Sequence, residues 1–91
     1  MGTCCDHEFI CKGGKDAVEK ARKAIERFKA KHAAYNGNGD CCFDHEPEIS
    51  ADGTELRWAC YSVGLVGKLS KSLARLTSAC GLEFHHYIGC T

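Results

Sequence analysis

Hydrophobic positions recur at helical spacing in two stretches of the chain. In the first stretch, which runs from Asp16 to Tyr35, the recurring positions are Val18, Ala21, Ile25, Phe28, His32 and Tyr35. In the second they are Val66, Leu69, Leu73, Leu76 and Cys80. Steps of three and four residues place side chains on one face of a helix, so we predict two amphipathic helices. The sequence YNGNG ends the first helix and Gly81 ends the second.

Elsewhere the hydrophobic residues alternate with polar ones, which is typical of half-buried β-strands. The alternation occurs in CCDHEFIC near the start, in ELRWACYSV and in LEFHHYIGC near the end. The inward positions are then Phe9 and Cys11, followed by Leu56, Trp58 and Cys60, and by Leu82, Phe84, His86 and Ile88. Asp52-Gly53 is a favoured hairpin turn, and it predicts a further strand before ELRWACYSV.

The predicted order is strand, helix, strand, strand, helix, strand. This order predicts an α+β fold with ferredoxin-like βαββαβ topology, in which a four-stranded antiparallel sheet of order 4-1-3-2 carries two helices on one face. The chain of 91 residues has the length of a single domain, residues 1–91.

A cysteine-rich phrase occurs twice, as CCDHEF at residues 4–9 and as CCFDHE at residues 41–46. In the predicted topology, strands 1 and 2 are parallel and start at the same end of the sheet, where strand 4 finishes. The two phrases and Cys90 are therefore expected to meet at one rim of the sheet, together with His32 at the end of the first helix.

Strand alternation also predicts which side chains face the helices. Counting back from the hairpin pairs Ile49 with Leu56, His45 with Cys60 and Cys41 with Gly64. The covered face then holds Cys5, His7, Cys11, Cys41, His45, Cys60, His86 and Cys90. A buried polar group without a partner costs about 1–3 kcal/mol, whereas a tetrahedral metal uses thiolates and neutral imidazoles as ligands.

We therefore predict a structural zinc ion, the usual choice for mixed sulfur and nitrogen ligands. The predicted metal ligands are Cys5, His7, Cys41, His45, Cys60 and Cys90. Three arrangements stay open: Cys5/His7/Cys41/Cys90, a row of His7/Cys60/His45, or two separate sites. The spacing is not that of a standard zinc motif. Cys11, Cys60 and Cys80 also fit the role of small core residues.

Charge is segregated along the chain although the formal net charge is zero. Eight of the twelve Lys and Arg residues fall between Lys12 and Lys31, whereas residues 40–55 hold six acidic residues and no basic one. The open sheet face is predicted to carry Asp6, Glu8, Asp44, Glu46, Glu48 and Glu83, with Tyr61, His85 and Tyr87, and with Arg57 as its cation. Sheets that bind RNA combine aromatic with basic residues, so this acidic face disfavours RNA binding.

The acidic face is instead expected to dock on a basic protein surface, with the tyrosines as anchors. The predicted partner-binding residues are Asp44, Glu46, Glu48, Tyr61 and Tyr87. No run of 18 apolar residues occurs, and MGTCCDHE has neither the basic start nor the apolar stretch of a secretory signal. We therefore expect a cytoplasmic protein whose eight cysteines are reduced and available to metal rather than paired in disulfides.

No enzyme motif is found: KGGK lacks the spacing of a phosphate-binding loop, and neither a serine nucleophile elbow nor HExxH occurs. In size, single-domain build and acidic face, the chain resembles small phage-encoded anti-CRISPR proteins, some of which bind metal. The resemblance implies a stoichiometric inhibitor that blocks a CRISPR effector, with a structural metal. Alternatives are a metal-handling or redox protein that uses exposed Cys4 and Cys42, and a small metalloenzyme with an open coordination site.

Overall fold

A computed structural model describes residues 5–32, 45–62 and 66–90, and for Cys5, Ser62 and Cys90 it describes the backbone alone. Its elements in chain order are β1 Cys5–Lys12, α1 Lys15–Lys31, β2 Glu48–Ile49, β3 Glu55–Ser62, α2 Gly67–Cys80 and β4 Glu83–Cys90. The four strands form one antiparallel sheet in the order β2-β3-β1-β4. This is the predicted 4-1-3-2 order read from the other edge, and the ferredoxin-like βαββαβ prediction is confirmed.

The core lies between the sheet and the two helices. Phe9, Leu56 and Trp58 project from the sheet, and each is at most 1% exposed. They pack against the helix side chains Ile25, Leu69 and Leu73 in one cluster. Strand side chains alternate between the two faces of a sheet. The residues between these buried positions, such as Glu8 and Arg57, therefore lie on the opposite, open face.

Two glycines adopt left-handed backbone conformations where the chain reverses. Gly81 has φ 72° directly after α2, and its N–H donates to the carbonyl oxygen of Thr77 at 3.1 Å. Gly53 has φ 75° in the predicted hairpin turn. Around it the Asp52 carboxylate accepts hydrogen bonds from the Ser50 hydroxyl at 2.7 Å and the Thr54 hydroxyl at 2.7 Å. Both chain reversals follow the sequence prediction, because glycine adopts positive φ without steric cost.

The hairpin has the predicted register, with Ile49 opposite Leu56, but β2 is shorter than predicted. It begins at Glu48, directly after Pro47. Proline has no backbone N–H and cannot extend the ladder of hydrogen bonds. Residues 45–47 are consequently not part of the strand, and face predictions based on alternation fail there. The predicted pairing of Cys41 with Gly64 lies outside the described residues.

Candidate metal centre and open sheet face

One end of the sheet brings cysteine and histidine positions together. The register places Cys5 opposite Cys90 on β4 and opposite Ser62 on β3. Two residues further along β1, His7 is opposite Cys60. Directly opposed residues in an antiparallel pair have Cα atoms about 4.5–5.5 Å apart. Strand pairing alone thus brings Cys5 and Cys90 next to each other at the rim where His7 lies.

His7 is the central side chain of this end of the sheet. It lies on the covered face, as alternation predicted, and is 7% exposed. Its Nδ1 is 2.8 Å from Nε2 of His86, and Nδ1 of His86 is 3.0 Å from the Ser70 hydroxyl on α2. The His86 ring also stacks on Phe9, with centroids 4.2 Å apart and planes at 16°. Two strands and one helix therefore hold the His7 ring in position.

The other nitrogen of the ring, His7 Nε2, is buried and has no hydrogen-bond partner among the described residues. Two proton arrangements satisfy the Ser70–His86–His7 chain. If the Ser70 hydroxyl donates to His86, then His86 donates to His7, and His7 keeps a buried N–H at Nε2. If His7 Nδ1–H donates to His86, then His86 donates to Ser70, and Nε2 of His7 carries a free lone pair. The second arrangement is that of a metal-ligating imidazole, whose other N–H is held by an outer partner.

Both imidazoles favour the neutral form that metal binding requires. Burial lowers the pKa of His7, and the negative charge of Asp6 opposes this shift only in part. Burial also lowers the pKa of His86, and the neighbouring His7 lowers it further. At pH 7 each ring is therefore neutral and able to use a nitrogen lone pair as an acceptor or a ligand.

The remaining predicted ligands fall into three groups. Cys60 is 4% exposed on the covered face, as predicted. Cys41 lies outside the described residues, as do the side chains of Cys5 and Cys90. His45 was predicted to point inward opposite Cys60, and this is wrong.

His45 is exposed because the strand ladder stops at Pro47, and it contributes its carbonyl oxygen to Trp58 Nε1–H at 2.7 Å. Within residues 5–32, 45–62 and 66–90, no three His, Cys, Asp or Glu side chains are placed to share a metal ion. The row His7/Cys60/His45, which lies wholly within these residues, is therefore not assembled.

The sequence did not point to the contact between His7 and His86. In the register His7 is opposite Ile88 and His86 is opposite Phe9, so the two histidines are diagonal neighbours on adjacent strands. Alternation had placed both on the covered face, and the diagonal relation follows once the register is known. Ser70 adjoins Leu69 within the apolar repeat of α2, but a serine beside such a repeat carries no sequence signal for a histidine partner.

The open sheet face is predominantly acidic in the described part of the chain. Its carboxylates are Asp6, Glu8, Glu48, Glu55 and Glu83, and its cations are Lys12 and Arg57. Arg57 lies 3.8 Å from Glu55, whereas neither Asp6 nor Glu8 has a salt bridge to any described residue. Lys12 is a second cation that the sequence interpretation omitted. The excess of negative charge nevertheless agrees with the predicted sign of this face.

The structure corrects the predicted placement of Glu46 and does not describe Asp44. Glu46 was predicted to lie free on the open face, but its carboxylate is 3.0 Å from Nζ of Lys29 on α1. It reaches the helix side because it precedes Pro47 and does not follow strand alternation. The Lys29 hydrogen bond also lowers the pKa of Glu46. Glu48 is exposed opposite Arg57, while Asp44 lies outside the described residues.

A groove of about 440 Å³ crosses the acidic half of the open face. Its open-face residues on β3, β1 and β4, here called the tyrosine groove, are Asp6, Glu8, Ala59, Tyr61, Tyr87 and Gly89. His45 also lines this space, as do His7, Cys60 and Ile88, whose strand positions belong to the covered face. Tyr87 is 54% exposed, which is high for an aromatic side chain in a sheet. Both predicted tyrosine anchors, Tyr61 and Tyr87, therefore line one concave surface beside two carboxylates.

Among the described residues no helix has the length and apolar character to cross a membrane. No protein-family model matches the chain, and the comparison with curated proteins finds no match. Two features of the described residues bear on function: the oriented imidazole of His7 at the rim of the sheet and the acidic groove on the open face.

Proposed function

We propose that the chain is a non-catalytic zinc-binding protein-interaction module. The observation that carries the metal half of the proposal is the His7 imidazole, which is buried, held by His86 and Ser70, and left with an unpartnered Nε2. A buried ring nitrogen without a partner costs about 1–3 kcal/mol, and a metal ion removes that cost. The zinc ion would stabilise the fold and would not take part in a reaction.

The ligand set that agrees best with the register is Cys5, His7, Cys41 and Cys90. Cys5 and Cys90 are opposite each other, and His7 lies two residues along β1. Cys41 completes this set as a sequence prediction. Thiolate ligands need a reducing compartment, so the proposal includes a cytoplasmic location.

The docking half of the proposal rests on the charge of the open face. The described part of this face carries five carboxylates and two cations, while α1 on the other side carries seven of the twelve basic residues of the chain. Such a surface attracts a basic protein surface and repels nucleic acid. A basic surface that normally binds nucleic acid fits this description, and a CRISPR effector is the partner that the resemblance implies. The chain would act there as a stoichiometric inhibitor.

Native mass spectrometry of the reduced protein, with elemental analysis, tests the metal half. We expect one zinc ion per chain, lost in Cys5→Ala and in His7→Phe, and a thermal melt that falls sharply when a chelator is added. Cys80→Ala is the matched control, because Cys80 ends α2 at the opposite end of the sheet and donates its thiol hydrogen to the Leu76 carbonyl. It should keep the zinc.

Two results would count against the metal half. A metal-free protein whose mass shows that its cysteines are paired in disulfides would exclude the metal half of the proposal. Zinc that exchanges freely without unfolding the chain would favour a metal-handling or thiol-redox protein instead.

Inhibition of purified CRISPR effectors tests the docking half. We expect cleavage to stop at a ratio of about one chain per effector, and Glu8→Lys with Glu48→Lys to abolish the effect while the zinc content and the melt are unchanged. The control is Glu19→Lys, a charge reversal at a half-buried position on α1. Equal loss of inhibition in the control, or inhibition insensitive to all three changes, would exclude the open face as the interface.

A further inference from the structure

We propose that the tyrosine groove receives an arginine side chain that projects from the partner protein. The proposal rests on the docking half of the proposed function and adds the chemistry of the contact. The charged and aromatic side chains of the groove lie on the open face of the sheet, whereas the proposed zinc ligand His7 belongs to the covered face and also contributes to the lining of the groove.

The register defines the walls of the groove. Asp6 and Glu8 lie on the central strand β1, two residues apart, which is about 6.5–7 Å along a strand. Tyr61 on β3 is opposite Asp6, and Tyr87 on β4 is opposite Glu8. The two carboxylates thus form a line, and one tyrosine stands on each side of it.

Small residues complete the two rows and provide the depth. Gly89 is opposite Asp6 on the β4 side, and Ala59 is opposite Glu8 on the β3 side. Gly89 therefore contributes no side chain and Ala59 contributes only a methyl group opposite the carboxylates, and His45 also lines the groove. The groove has a volume of about 440 Å³.

The charge of the groove favours a cation. Neither Asp6 nor Glu8 forms a salt bridge within the described part of the chain. Arg57, the nearest open-face cation along β3, is opposite Ile10 in the row beyond Glu8 and already lies 3.8 Å from Glu55. Covering the two carboxylates with an apolar partner surface would desolvate both charges without compensation.

Arginine matches these groups better than lysine does. Its planar guanidinium donates two parallel hydrogen bonds to a carboxylate and stacks on an aromatic ring, whereas the lysine ammonium is a compact charge that remains strongly hydrated. The carboxylates on β1 and a tyrosine on a neighbouring strand supply both kinds of contact at one point. A phosphate group would meet the like charge of Asp6 and Glu8 here.

The test is a nuclear magnetic resonance titration of the full, zinc-loaded chain with the peptide acetyl-Gly-Arg-Gly-amide up to about 10 mM. The control peptide carries citrulline, which has nearly the same shape as arginine but no charge. We expect saturable amide shifts centred on Asp6, Glu8 and Tyr87 with the arginine peptide, and none that saturate with citrulline. No saturation with arginine, or equal binding of citrulline, would overturn the proposal.

Three variants assign the contact to the groove. Glu8→Gln is expected to weaken binding about two- to fivefold, as is typical for an exposed ion pair. Tyr87→Ala is expected to weaken it by a similar factor, about two- to fivefold, through the lost cation–π contact. Glu83→Gln makes the same charge change on the same face but outside the groove, and binding should be unchanged. If Glu83→Gln weakens binding as much as Glu8→Gln, the general field of the face attracts the peptide and the groove does not.

Zinc content and the thermal melt are measured on the same samples. A folded, zinc-loaded chain that does not bind the arginine peptide would overturn the groove assignment and leave the metal half of the proposed function intact. A metal-free chain that binds the peptide in the groove would support the groove assignment and exclude the metal half of the proposed function.

Discussion

Replacing His86 by phenylalanine isolates the role of the histidine chain in metal binding. His86→Phe removes the ring nitrogen that lies 2.8 Å from His7 Nδ1, together with the contact to Ser70. It keeps an aromatic ring that can stack on Phe9. In the unmodified chain the Phe9 and His86 ring centroids are 4.2 Å apart. The packing of this region is therefore largely preserved, and the lost feature is the group that orients His7.

The expected effect is a loss of zinc affinity without a loss of the zinc site. Outer partners of metal-bound histidines contribute about 10–100-fold to metal affinity. At about 1.4 kcal/mol per tenfold change, this is about 1.4–2.8 kcal/mol of binding free energy. One part-buried hydrogen bond accounts for about 0.5–1.5 kcal/mol of it, and the cost of a disordered His7 ring accounts for the rest. His7→Phe, which removes the proposed ligand itself, should lower the affinity much further.

Competition with a chromogenic chelator measures the affinity. His85→Phe is the matched control, because it makes the same substitution one residue away on the exposed, open face of β4. It should leave the affinity unchanged. If His86→Phe stays within about twofold of the unmodified chain while His7→Phe binds no zinc, then His86 does not orient the ligand. If His7→Phe binds zinc normally, His7 is not a ligand and the ligand set must be redrawn.

Three further predictions concern the fold. Leu73→Ala should lower the free energy of unfolding by about 2–5 kcal/mol in urea titrations, because Leu73 is fully buried; a loss below about 1 kcal/mol would contradict the described core. Trp58→Phe should cost about 1–3 kcal/mol in the same assay, since the His45 carbonyl loses its indole donor, and an unchanged midpoint would exclude that bond as a stabilising contact. Burial raises the pKa of Cys11 from 9.0 to about 11, so the stability that its neutral thiol contributes is present below pH 9 and is lost as the pH rises towards 11. Thermal melts of Cys11→Ala should therefore fall less steeply over this interval than those of the unmodified chain, and parallel curves would refute the assignment.

The fold followed from the sequence because its strands alternate and its turns are explicit. Phe9, Leu56 and Trp58 share one face by simple counting, and Asp52-Gly53 sets the register of Ile49 with Leu56. Counting of this kind holds only while the chain remains in a strand.

The errors at the candidate site have the same origin. His45 and Glu46 were assigned to faces by continuing the alternation through Pro47, where the ladder of hydrogen bonds stops. Tertiary contacts position the residues before Pro47 instead. The His45 carbonyl accepts a hydrogen bond from Trp58, and the Glu46 carboxylate pairs with Lys29. The contact of His7 with His86 does not follow from alternation for another reason: a diagonal pair depends on the register of β1 against β4, and alternation gives the face of each residue but not that register.

The distribution of strand contacts along the chain has a consequence for the order of folding. The β2–β3 hairpin closes a loop of a few residues, and three hydrogen bonds to the Asp52 carboxylate hold its turn. Such local structure forms within microseconds. The pairing of Cys5 with Cys90 joins the two ends of the chain, and it carries the largest loop-closure entropy of any contact in the sheet. We therefore expect the rim to assemble in the last step, so that a nascent or partly unfolded chain offers zinc only scattered thiols, and tight metal binding marks the completed fold.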